Sequence, residues 1–148
     1  MKAIRKGIGL PGLLICLLIL GNPVRGQSRP TGFGYLDKGD SIEFIFGQQK
    51  IMIVSGTVVN LQERFNEIKS VNVAGDFNNW NPKDAKYVAV MGTDKLFRLV
   101  VAKKNIGKKG ETRQFKFVLN QVHWVEPPAE AANRYTGKDG YTNLTVKL

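Results

Sequence analysis

Cysteine is almost missing from this chain. Cys16 is the only one in 148 residues, and it lies in an apolar run near the N-terminus. If that run is removed, the mature protein has no disulfide, no thiol nucleophile and no thiolate metal ligand. Histidine is equally scarce: His123 stands alone, which excludes a histidine-rich metal cage. A Ser-His-Asp arrangement is formally possible, but no Gly-x-Ser-x-Gly elbow presents a serine. No glycine-rich phosphate loop occurs, since residues 107–110 form a lysine-bearing hairpin tip. Internal repeats, low-complexity tracts and long amphipathic helices are also lacking. The one sustained apolar run, 8–20, is short for a membrane span and is interrupted by Gly9, Pro11 and Gly12.

What is present is ordinary globular composition, 43% hydrophobic and 23% charged, enough for one domain with its own core. Lys2, Arg5 and Lys6 precede the apolar run, and Val24 and Gly26 occupy the small-residue positions that follow it. That order is the order of a signal peptide, with cleavage expected after Gly26 and a secreted or periplasmic product free of the membrane. Residues 1–26 carry four basic side chains and no acid, so their removal lowers the formal charge from +10 to +6. Residues 27–40, rich in Ser, Pro, Thr and Gly at their start, read as a leader segment. The domain is expected over 41–148.

Within that domain the periodicity is that of strands. Ile42, Phe44 and Phe46 alternate with Ser41, Glu43 and Ile45. Residues 50–61 are apolar and β-branched, read as one strand bent at Gly56. Residues 62–70 read as a polar connection with at most a single helical turn. Further strands are expected at 70–74, at 86–91 and 95–102 around the turn Gly92-Thr93-Asp94, at 112–119, and at 141–148. About seven short strands separated by turn signals predict an all-β sandwich or barrel, here a single-domain sandwich.

Both tryptophans are placed outside strand centres by this reading, Trp80 in FNNWNP and Trp124 after NQVH. An indole covers the C–H face of a sugar ring, while nearby Asn, Gln or Lys satisfies its hydroxyl rim. Filling the core is the competing role for either ring. Carboxylate pairs need a cleft that a small sandwich scarcely provides, and Asp76 and Glu126 are expected to hydrogen-bond within their turns. The sequence therefore favours a binding module over an enzyme, with no metal or cofactor implied. A competing reading uses Lys103, Lys104, Lys108 and Lys109 to bind an anionic envelope polymer, or the exposed aromatics to bind a protein partner. Lysines around one hairpin more often keep an edge strand soluble. Nucleic acid is disfavoured because arginine-aromatic interleaving is lacking.

Three segments carry a family resemblance: VNVAGDFNNWNP at 71–82, FKFVLNQVHWVEP at 115–127 and DGYTNLTVKL at 139–148. In combination they resemble the family-48 carbohydrate-binding modules, which include the glycogen-binding module of the AMP-activated kinase beta subunit. The resemblance implies an early-set immunoglobulin-like β-sandwich that binds α-1,4-glucan, such as glycogen, starch or a maltooligosaccharide, without cleaving it. It further implies that Trp80 and Trp124 are stacking platforms, that Lys116 donates to sugar hydroxyls and that Asn143 stands near the final strand; Tyr141 lies where the family places a loop cradling the ring, although its residue type does not match. Phe77 matches the family's core phenylalanine. Because members are usually fused to an enzyme or kinase subunit, a separate glucan-processing enzyme is a further implied partner. Two departures stand out: Asn120-Gln121-Val122-His123 replaces a shorter Asp-Gly turn before Trp124, and Glu126 replaces Asp before Pro127. The first leaves the aim of Trp124 open.

Overall fold

A computed structural model describes residues 33–47 and 52–148. The expected signal peptide, 1–26, and the first part of the expected leader, 27–32, lie outside the described residues. Among the described residues no helix is long and apolar enough to cross a membrane.

The fold is an all-β sandwich. One layer is antiparallel and runs β1 (Phe33–Asp37), β2 (Ser41–Phe46), β7 (Phe97–Ala102) and β6 (Val88–Met91). The other runs from β6 through β5 (Val71–Gly75), β8 (Thr112–Leu119) and β11 (Thr142–Lys147) to β10 (Arg134–Thr136). Strand β6 belongs to both. Its Val88 and Ala89 pair with Asn72 and Val71 of β5, and its Val90 and Met91 pair with Arg98 and Phe97 of β7. A strand that changes sheets in this way makes the corner of the sandwich.

Side-chain alternation decides what lies between the layers. Ile42, Phe44 and Phe46 from one sheet meet Phe115, Phe117, Leu144 and Val146 from the other, all buried. The phenylalanine rings interlock across the gap, Phe44 with Phe115 at 4.9 Å and Phe46 with Phe117 at 5.3 Å between centroids. Such edge-on and tilted pairs add to the burial that holds the sheets together. Phe77 packs against this core, beside Phe44 and Tyr87.

The structure differs from the sequence expectations at β10, which no expected strand covers, and at three further places. The segment 27–40 is not all leader, because Phe33–Asp37 is an edge strand paired with β2, with Phe33 packed on Phe46 and Phe117. Alternate apolar residues in so short a stretch were masked by the glycine-rich context around them. Residues 50–61 do not form one bent strand. Strands β3 (Met52–Val54) and β4 (Thr57–Val59) form a hairpin about Ser55 and Gly56, whose φ values of 48° and 78° give the turn favoured by strand twist. Trp124 is not in a loop either; with His123 it forms β9, paired to the end of β8. The polar connection contains a helical turn, Leu61–Arg64, followed by a 3-10 turn, Phe65–Glu67.

Candidate functional site

The outer face of β5 and β8 turns away from the core. It carries Ala74 and Val118, which are fully buried yet stand apart from the core cluster. A groove of about 670 Å³ opens on this side, lined by Trp80, Lys116, Trp124, Tyr141 and Asn143 together with Ser55, Asp76, Gln114, Glu126 and Asp139. The structure thus brings all five residues singled out from the sequence to one place.

Trp80 is delivered by the turn that follows β5. Asn78 is buried there and works as a clamp, its Oδ1 accepting from the Gly75 N–H at 2.9 Å and its Nδ2 donating to the Val73 carbonyl at 3.1 Å. The Trp80 N–H closes the turn on the Gly75 carbonyl at 2.8 Å. Gly75 must lack a side chain, since a Cβ there would stand 2.6 Å from the Phe77 ring. Asn79 and Trp80 follow with φ of 56° and 55°. Left-handed backbone at a bulky aromatic residue is strained, and the surrounding clamp is what sustains it.

Trp124 is fixed on both backbone edges. It pairs with Val118 of β8 on one side, and its carbonyl accepts from the Ser55 N–H at 2.8 Å on the other. The longer connection before it is taken up by Asn120 and Gln121, both at positive φ, and Val122 closes the turn on the Leu119 carbonyl. Asn120 anchors this turn through its Oδ1, which accepts from Lys69 and Ser70, and its Nδ2, which donates to Glu67. Because Trp124 stands opposite Val118, its ring faces outward with Lys116. The extra residue therefore leaves the aim of Trp124 on the same face as Trp80.

The two indoles are half-buried, with centroids 6.4 Å apart and planes inclined at 46°. They form a shallow V instead of one flat platform. Tyr141 stands 69% exposed at the start of β11. Asn143 lies within β11, and its Nδ2 donates to the Gln114 Oε1 at 2.8 Å.

Lys116 is buried and ion-paired. Alternation puts it on the outer face, as Phe115 and Phe117 require, but it is only 6% exposed and its Nζ lies 2.7 Å from Glu126 Oε1. Continuing the β8–β9 register by two residues sets Glu126 opposite Lys116, just as Trp124 is opposite Val118. Glu126 is therefore an ion-pair partner in the groove and not a turn-forming acid. Asp76 also reaches beyond its turn, its Oδ2 accepting from the Gln114 N–H of β8 at 3.1 Å.

The sequence reading missed Gln114, Glu126, Asp139 and Ser55. Gln114 carried a usable signal, because strand alternation puts it on the same face as Lys116, two residues on; Glu126 did not, because its place depends on the β8–β9 pairing. The last two come from loops whose approach no periodicity announces. The lysine cluster lines no part of the groove; Lys103 is bonded to Asp37 at 2.8 Å, while Lys104, Lys108 and Lys109 are exposed. Among the described residues no three His, Cys, Asp or Glu side chains converge to hold a metal ion. No known family model matches the chain, and neither does any curated protein.

Proposed function

We propose that this protein is a non-catalytic, secreted carbohydrate-binding module that recognises an α-1,4-glucan by aromatic stacking, on an immunoglobulin-like sandwich of the early-set type. The observation that carries the reading is the pair of half-buried indoles inclined within one groove beside Lys116, Asn143 and Tyr141. A pyranose presents C–H bonds on its face and hydroxyls at its rim. The rings release water from the face, and the polar groups between them satisfy the rim.

The inclination favours one class of polymer. Successive units of an α-1,4-glucan turn relative to one another, so the chain curls, whereas a β-1,4-glucan lies as a flat ribbon. Rings set at 46° suit the curled chain. Each carboxylate of the groove already has a partner: Glu126 holds Lys116, Asp76 accepts from Gln114 N–H, and Asp139 accepts from Tyr141 N–H. Each carboxylate is thus tied through one oxygen, which suits a fixed hydrogen-bonding surface for the hydroxyl rim of a sugar. A separate glucan-processing enzyme remains the partner such a module would serve.

The test is retardation of the mature protein on amylose or glycogen, with maltooligosaccharide as competitor. Retardation abolished by the competitor and by Trp80→Ala is the expected result. Passage at the rate of a non-binding control would refute the reading.

A further inference from the structure

Lys116 and Glu126 invite a question that stacking alone does not answer. A lysine whose side chain is 7% exposed, on the floor of a groove, is costly to desolvate unless paired. Glu126 provides the pair through Oε1, yet is itself 35% exposed. Among the described residues, no hydrogen bond or ion pair engages its second oxygen, Oε2. The ammonium likewise has three protons and spends one on Glu126. A charged donor and a charged acceptor are thus locked together beside the two indoles, each with capacity left over.

We propose that Glu126 is a specificity-determining residue of this groove, and that the Lys116–Glu126 pair reads two neighbouring hydroxyls of one pyranose. One hydroxyl donates to Glu126 Oε2 and its neighbour accepts from Lys116 Nζ. Adjacent hydroxyls match this pair because each is both donor and acceptor. The ion pair fixes the spacing of the two groups before ligand arrives, so little side-chain freedom is lost on binding. It also keeps the pair neutral, so a glycan gains nothing there from carrying charge. Backbone geometry supports the placement: the Val125 N–H bonds the Phe117 carbonyl at 2.9 Å and the Glu126 N–H bonds the Ile53 carbonyl at 2.8 Å, holding Glu126 from both edges. This inference rests on the sugar-stacking reading and adds which hydroxyl pattern the site selects.

The experiment compares maltoheptaose with analogues lacking the 2- or the 3-hydroxyl, against the natural protein, Glu126→Gln, Glu126→Asp and Trp80→Ala, with a thermal melt for each. For the natural protein, at least one deoxy analogue should bind about tenfold more weakly, the loss expected when a hydrogen bond to a charged group is removed. Glu126→Gln should weaken maltoheptaose by a similar factor while the deoxy analogue barely notices the change. Glu126→Asp should recover part of the affinity. If the natural protein binds all three ligands equally, the proposal fails, and that result needs no variant to fold. If Glu126→Gln lowers affinity for all ligands alike, its role is only to neutralise Lys116 and the proposal fails. In both cases loss of binding in Trp80→Ala would leave the stacking reading standing. Absence of any binding by the natural protein would overturn both.

Discussion

Trp80 is held at a backbone angle that its own side chain disfavours, within a turn clamped by Asn78. A residue with a Cβ loses roughly 1–2 kcal/mol there relative to glycine. Trp80→Gly should therefore fold at least as stably as Trp80→Ala in urea titrations, although glycine is the more flexible residue in the unfolded chain. Both should lose glucan binding, by about 1–3 kcal/mol if sugar stacking resembles base–aromatic stacking. Phe117→Ala provides the contrast. Its ring is 1% exposed at the centre of the core, and its loss should cost about 3–5 kcal/mol of stability. A large fall in melting temperature for Trp80→Ala would mean that the indole serves the core. Trp80, Trp124, Lys116 and Asn143 were legible in the sequence because their neighbours formed recognisable strings. The partnership of Glu126 was not, because it depends on which strand Trp124 joins, and two residues make a strand too short to show a period.

The hairpin from β6 to β7 is tied by Arg98, whose guanidinium meets both carboxylate oxygens of Asp94 at 2.8 and 2.6 Å. That hydrogen bonding, with help from the Leu96 N–H, pulls the Asp94 carboxyl down to about 2 from its ordinary value near 3.8. Lys103 lowers the Asp37 carboxyl at the β1 edge in the same direction. A depressed acid contributes stability above its unfolded pKa and loses it as pH falls through the folded one. Melting temperature should accordingly drop between about pH 4 and pH 2, and Asp94→Asn should flatten that part of the profile. A profile unchanged by Asp94→Asn would show that the pair adds nothing to stability. Elements with clean alternation, β2, β8 and β11, were readable from residue order alone. The β3–β4 hairpin was not, because its apolar residues run on through Ser55 and Gly56 and only the two positive φ values separate the strands. Strand β10 has three exposed residues and no apolar stripe to mark it.

At the scale of the whole molecule, basic charge and the aromatic groove make opposite demands on salt. The chain carries a formal +10, and a polyanion gripped by its lysines would dissociate steeply as salt rises. A neutral glucan stacked on indoles should bind almost equally at low and high salt. The sandwich class followed from counting strands and noting the lack of helices, whereas the groove followed from nothing local: it exists because three loops and a hairpin converge on the outer face of β8. Trp80 and Trp124 are the only tryptophans in the chain, so indole emission reports on this groove and nowhere else. The decisive measurement is a titration of that emission with maltoheptaose at low and high salt. A saturable change with the same midpoint in both is what two sugar-stacking indoles predict. Emission that stays constant up to saturating maltoheptaose would contradict it.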